Sequence, residues 1–307
     1  MTIAVIDLGT NTFHLLIANA EKKLFECSLA AKIGKGGINS NLILEDAVER
    51  ALVILKDFKS KINKFKIAPE NIYAFGTSAI RNALNKEEFS NRVFEETRIK
   101  IQIIDGQKEA ELIYLGVKKA VEIKENSLIV DIGGGSVEFI ICDAKKLLWK
   151  QSFELGGFRL IELFMKTDRI SEAEVNKMND FFLDKLLPLT NAVHQYHPKV
   201  LIGSSGSFDT LNDISYFKNF GTMAPESQSG FDYPIAEFWS AFEQIVFANR
   251  AERMAIGGMI ELRVDMIVVA TCLIKYLIQS IDIKFIKISN FALKEGAMAQ
   301  ILHNNAL

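Results

Sequence analysis

Apolar residues run from Ile3 to Ile6, stop at Asp7 and a Gly/Thr/Asn cluster, and resume from Phe13 to Ile17. The same order returns 124 residues later. IAVIDLGTNTFHLLIANA (Ile3 to Ala20) lies on SLIVDIGGGSVEFIICDA (Ser127 to Ala144) without a gap, with Asp7 on Asp131, Gly9 on Gly133 and Thr12 on Ser136. Each copy reads as an apolar strand ending in aspartate, a tight turn and a second apolar strand, which predicts a hairpin. Two equivalent units are implied.

Helical periodicity follows each hairpin. Val48, Ala51, Leu52, Leu55, Phe58, Ile62 and Phe65 recur at spacings of three and four and predict one amphipathic helix. A strand from Ile72 to Phe75 follows, then a helix opened by a box-like Asn85 and Glu88, and a strand from Lys100 to Ile104. Asp105 and Gly106 introduce a helix reaching Val121. After EIKEN (Glu122 to Asn126), strands are predicted over Leu128–Asp131, Val137–Cys142 and Leu147–Phe153. Ser171 and Glu174 form a capping box before a helix that Pro188 brings near its end. A strand from Lys199 to Gly203 enters a Gly/Ser turn. Helical patterns span Ala236–Asn249 and Val264–Ser280, then come a strand Phe285–Ser289 and a last helix Ala292–His303. Alternation of this kind, twice over, predicts two α/β domains facing each other.

Composition narrows the function classes. The 307 residues are 49% apolar and 24% charged, which places the chain among ordinary globular proteins. Lys and Arg total 36 against 38 acidic residues, so no basic excess exists to hold nucleic acid, and any polyanion must be met locally. Cys27, Cys142 and Cys272 are far apart with no CxxC spacing, which excludes a disulfide framework and fits a reducing, cytoplasmic setting. No signal peptide is expected at Met1. Met266 to Ile278 carries Lys275 and falls short of the ~18 apolar residues of a membrane span, so a buried helix is expected and no membrane partner.

The chemistry concentrates at the turns. Gly133, Gly134 and Gly135 offer unhindered N–H donors, Ser136 adds a hydroxyl, and Asp131 can hold Mg2+ directly or through water. A glycine triplet also closes a hairpin with no ligand; the matched copy from Asp7 to Thr12 favours phosphate. Neither copy is a Walker A loop or a GxGxxG turn. A third turn, Gly203 to Ser207, precedes a helix and brings Ser205 and Gly206 to an anion-attracting helix start. Arg81 follows a strand end, where a guanidinium can clamp a phosphoryl group. Glu109 lies in the first turn of a helix, from which a carboxylate can reach an interdomain cleft and act as general base. His14 is expected to pack, and no histidine is assigned to catalysis. Lys56, Lys59, Lys61, Lys64 and Lys66 form the solvated face of one helix.

Six stretches in order, VIDLGTNTFHLLI, GTSAIRNA, DGQKEAELIYLGV, VDIGGGSVEF, LIGSSGS and ISNFALKEGAMAQIL, resemble the exopolyphosphatase and guanosine pentaphosphate phosphohydrolase family of the actin-like ATPase superfamily. The resemblance implies two ribonuclease H-like domains facing a cleft, residues 1–121 with 292–307 and residues 126–291, the final helix packing back on the first. It implies Glu109 as catalytic base and Arg81 as phosphate clamp. Gly133 to Ser136 match the phosphate loop, Asn11 and Thr12 the opposing loop, and Asp131 and Glu138, with Asp7, the metal-binding acids. The cofactor implied is Mg2+, with activation by a monovalent cation such as K+, and a homodimer is expected.

Two departures stand out. Lys108 replaces the first Glu of the family's Gly-x-Glu-Glu-Ala pattern, where a cation beside Glu109 is expected to depress its pKa or add a phosphate contact. Lys294 stands where the family often has Arg. Ending at Leu307, the chain resembles the short two-domain members. The implied activity is removal of terminal orthophosphate from inorganic polyphosphate. The alternatives are the 5′-phosphate of guanosine pentaphosphate as target, a kinase on the same fold, and a non-catalytic phosphate or nucleotide sensor.

Overall fold

The computed structural model of the protein describes residues 1–304. The first half runs β1 (Ile3–Leu8), β2 (Thr12–Ala18), β3 (Lys23–Ala30), α1 (Glu45–Lys64), β4 (Ile72–Gly76), α2 (Ser78–Asn82), α3 (Lys86–Thr97), β5 (Ile101–Ile103) and α4 (Gly106–Ala120). The second opens with β6 (Ser127–Ile132), β7 (Val137–Cys142), β8 (Leu147–Phe153), α5 (Gly157–Phe164), α6 (Glu172–Lys185), α7 (Leu187–Tyr196) and β9 (Val200–Ser204). It closes with α8 (Gly206–Phe220), β10 (Gly230–Tyr233), α9 (Ile235–Ile245), α10 (Arg250–Met254), α11 (Met266–Ser280), β11 (Phe285–Ser289) and α12 (Leu293–Asn304).

The strands form two sheets with one plan, β3-β2-β1-β4-β5 and β8-β7-β6-β9-β11, the second extended by β10. In both, an antiparallel meander is joined by parallel strands, as alternation of helix and strand requires. The repeat read from the sequence holds in register: Ile3 pairs with Ala18 as Ser127 pairs with Cys142. Even the ladder irregularity recurs, between Ile17 and Ala18 and between Ile141 and Cys142.

The helix pair α4 and α12 links the sheets. α4, encoded directly after the first sheet, packs on β6, β7 and β8 of the second; α12, encoded after the second, packs on β1 and β2 of the first. The two helices lie against each other, and their apolar residues share one core with Val5 and Leu16 from one sheet and Ile129 and Ile140 from the other. Their contact is backbone to backbone. A Cβ on Gly116 would overlap the Ala292 carbonyl, and one on Gly296 would overlap that of Leu112. α11 is buried along most of its length, and among the described residues no helix is long and apolar enough to cross a membrane.

Several local expectations need correction. Asn85 does not cap α3 with its side chain; it pairs with the Ile43 backbone at 3.1 and 2.9 Å and ties the α1 approach to α3. β3 and β10 went unpredicted: β3 is an edge strand mixing Lys, Glu and Cys with apolar residues, and β10 has four residues. The pattern over Ala236–Asn249 breaks at Ile245, and Asn249 with Glu252 builds a second capping box that starts α10. Pro188 opens α7 instead of closing α6, in a first turn where its missing N–H is no loss. The Ser171–Glu174 box and the Asp105 cap of α4, which accepts from Lys108 N at 2.7 Å, form as expected.

Because neither helix can retreat without opening the shared core, Gly296→Ala is expected to lower unfolding stability by about 2 kcal/mol or more. A urea denaturation midpoint checks this; an unchanged midpoint would refute the close helix contact.

Candidate active site

The carboxyl ends of β1 and β6 point into one cleft between the two halves. Asp7 is the penultimate residue of the first and Asp131 of the second, followed by turns closed the same way: a Cβ on Gly9 would stand 2.8 Å from the Thr12 carbonyl oxygen, and one on Gly133 3.0 Å from that of Ser136. The two turns nearly touch across the cleft, since a Cβ on Gly135 would lie 2.6 Å from Ser78 Oγ and 2.7 Å from Thr10 Oγ1. Only glycine lets the halves approach this closely.

Nine of the expected residue groups meet here: Asp7, Asn11, Thr12, Glu109, Asp131, the glycines 133–135, Ser136, Ser205 and Gly206 all line the cleft. Arg81 and Glu138 are not on its wall. Arg81 Nη1 donates to Glu109 Oε2 at 2.6 Å and to the Ile104 carbonyl at 3.4 Å, while Nη2 donates to Glu154 Oε1 at 3.1 Å. Glu138 lies opposite Asp131 in the β6–β7 ladder, and its Oε1 accepts from Ser136 at 2.8 Å and from Ser152 at 2.6 Å. The clamp expected of Arg81 is thus occupied by two carboxylates.

Crowded carboxylates dominate the electrostatics. Burial pushes Glu109 up to about 7 against the pull of Arg81, with Asp131 and Glu154 adding to the rise. Asp7 is pushed up to about 8, by burial first and Glu109 next, and Asp131 to about 6 by burial. Glu138 is raised well above the carboxylate range by burial, Glu109 and Asp131. Several polar atoms facing this space are buried without a partner: Asp7 Oδ1, both side-chain polar atoms of Asn11, Thr12 Oγ1, and Asp209 Oδ1. Orphaned groups gathered at one cleft mark the place of a polar ligand.

Among the described residues no three His, Cys, Asp or Glu side chains form a ready-made metal cage. Mg2+ does not need one, since it keeps several waters and binds through one or two carboxylates plus substrate phosphates. The partnerless Asp7 Oδ1 and the raised pKa values of Asp7 and Asp131 fit a cation between these two strand ends. Glu138, both of its hydrogen bonds falling on one oxygen behind the turn, fits a supporting position better than a place on the cleft wall.

Lys108 does not face Glu109. It points along α4 toward α12, where Nζ donates to Gln300 at 2.9 Å and to Glu111 at 3.1 Å, because neighbouring helix positions lie about 100° apart. The expected effect on Glu109 is therefore corrected, and Lys108 acts as a tie between the two central helices. The packing expected of His14 is incomplete: it shares a 2.7 Å hydrogen bond with Ser28, lines the cleft, and is held neutral by burial and by Lys294 and Arg263. Sequence reasoning missed Thr10, Ser78, Asp209 and Arg263 on the cleft wall. Arg263 precedes α11 in no recognisable motif, yet its guanidinium lies against Gly206, where any Cβ would overlap it. Lys294, noted only as a departure, sits at the start of α12 and pairs with Glu295 at 2.8 Å and Glu26 at 3.2 Å, which keeps it charged.

Comparison with known proteins agrees with this geometry. A model of the Ppx/GppA phosphatase family matches residues 18–305. A crystal structure of an exopolyphosphatase from Cytophaga hutchinsonii is 41% identical, covers 99% of this chain and 98% of its own, and superposes with a TM-score of 0.95. A putative exopolyphosphatase of Haemophilus influenzae is 27% identical over 98% of this chain and 92% of its own length. A bifunctional 3-dehydroquinate synthase/phosphatase of Fusobacterium nucleatum is 30% identical over 98% of this chain, which spans 46% of that protein's length. With two facing α/β units and a cleft built from their matched turns, the chain belongs to the Ppx/GppA phosphatase family.

Proposed function

We propose that this chain hydrolyses the terminal phosphoanhydride bond of inorganic polyphosphate and releases orthophosphate. The observation that carries the reading is Glu109, a buried carboxylate on the first turn of α4, at the wall of a cleft whose facing turns hold partnerless polar groups. The 41% identity to an exopolyphosphatase supports the choice of polymer over nucleotide.

In this reading water attacks the terminal phosphorus, Glu109 takes its proton, and the bond to the bridging oxygen breaks in line. A carboxylate lifted toward neutrality by burial is a better proton acceptor than an exposed one. Arg81 keeps Glu109 oriented through the 2.6 Å ion pair and offsets negative charge behind it. Asn11, Thr12 and the backbone of Gly133–Ser136 orient the phosphoryl oxygens, with Lys294 and Arg263 adding positive charge. Asp7 and Asp131 would hold Mg2+, which when bound neutralises phosphoryl oxygens.

Phosphate release from long polyphosphate, triphosphate, guanosine pentaphosphate and ATP, measured side by side, tests the reading. Polyphosphate is expected to be turned over fastest; fastest release from guanosine pentaphosphate would replace it as substrate. Glu109→Gln is expected to lower kcat by about 10²–10⁴ with a normal fold, and retained turnover would exclude Glu109 as base. Lys108→Gln is expected to stay within about twofold of the parent rate, since a half-exposed tie of this kind is worth about 1 kcal/mol or less to stability and none of it reaches the base. Millimolar Mg2+ is expected to raise the melting temperature, and Asp7→Asn to remove that increment; an equal increment in the variant would place the cation elsewhere.

A further inference from the structure

The carbonyls of the glycine turn all have one destination. Gly133 O accepts from Gly157 N at 2.9 Å, Gly134 O from Phe158 N at 2.8 Å, and Gly135 O from Gly156 N at 3.2 Å. These donors are the otherwise orphaned N–H groups that open α5. Gly135 O receives a second and shorter bond, 2.9 Å, from Nε of Arg159. The peptides are trans and planar, so a carbonyl turned toward α5 turns the next N–H the opposite way. Among the described residues, none of the N–H groups of Gly134, Gly135 and Ser136 donates to a backbone carbonyl.

Arg159 is 8% exposed, and its remaining nitrogens leave its own half of the molecule or meet a carboxylate that does. Nη1 donates to Ile38 O at 2.8 Å and to Asn39 Oδ1 at 3.4 Å, both in the first half. Nη2 donates to Glu154 at 3.0 Å, and Glu154 accepts in turn from Ser78 Oγ at 2.8 Å and from Arg81 Nη2. One buried guanidinium therefore joins the turn, the opposite half and the carboxylate that occupies Arg81. A planar fork with five N–H donors is needed to reach acceptors in these directions; an ammonium group cannot reproduce it.

We infer that Arg159 is a positioning residue: it sets the aim of the Gly133–Ser136 amides toward the terminal phosphoryl group and makes that aim depend on contact between the two halves. The inference rests on the reading of the cleft as a phosphoryl site. When the halves part, Ile38 and Asn39 withdraw from Nη1, and the guanidinium that steadies Gly135 O loses its outer support.

Kinetics and hydrogen exchange of Arg159 variants test it. Arg159→Lys is expected to raise KM for polyphosphate about tenfold or more while kcat moves less than about threefold, the pattern of lost binding shared by ground and transition states. Guanidinium ion at millimolar concentration is expected to restore KM in Arg159→Ala, which a general loss of stability would not allow. Amides of Gly156, Gly157 and Phe158, whose acceptors are the turn carbonyls, are expected to exchange faster in Arg159→Gln while β6 and β9 keep their protection. Unchanged KM and unchanged exchange in these variants would overturn the inference, as would a parallel loss of kcat and melting temperature without rescue. Parent protein that releases no phosphate but shows the exchange change in Arg159→Gln would refute the polyphosphate reading and leave the positioning role standing.

Discussion

Two glycines let the backbones of α4 and α12 meet, and the cleft exists in its present form because they do. α4 carries Glu109 in its first turn and α12 carries Lys294 at its start, so the contact at Gly116 and Gly296 sets how far this buried carboxyl stands from the Lys294 ammonium. The same helix pair is the middle layer of a core fed by both sheets. Burial there stabilises by roughly 25 cal/mol per Å² of apolar surface, so each sheet gains from holding the helix encoded by the other half.

The cleft itself works against stability. Asp7, Glu109, Asp131, Glu138 and Asp209 are all raised above their ordinary range, burial being the first cause in each, and the cations nearest them are Arg81, Arg263 and Lys294. Such an excess of acid persists only where packing elsewhere outweighs it, and it is relieved by a cation. Arg81 and Arg159 do not stand free in this arrangement; they are distributed over Glu109, Glu154 and backbone carbonyls, which makes the polar network continuous across the two halves.

The two meanders share one plan but carry different chemistry at their turns. Pairing register and ladder irregularity repeat at the same offset in the two meanders, yet the turns differ: Gly9, Thr10, Asn11 in one, three glycines in the other. The side chains of Thr10, Asn11 and Thr12 present polar atoms, while the glycine turn presents its backbone and owes its orientation to α5.

The repeat, the two α/β units and the turn residues of the cleft were legible in the sequence because each is a local signal: apolar runs ending in aspartate, glycines at turns, a cap before Glu109. Long-range relations were not. Asn85 has capping chemistry but spends it on Ile43, Lys108 sits next to Glu109 in sequence and about a third of a helical turn away in space, and Arg263 belongs to no motif. By itself the sequence determined which stretches become strands, turns and helices, since backbone preference and hydrophobic period act over a few residues. Only the tertiary structure decided that α4 crosses to the second sheet, that Arg81 is shared by two carboxylates, and that Arg159 reaches the other half. Those outcomes depend on which surfaces become neighbours once the chain has collapsed, and side-chain reach across a cleft leaves no periodic trace along the chain.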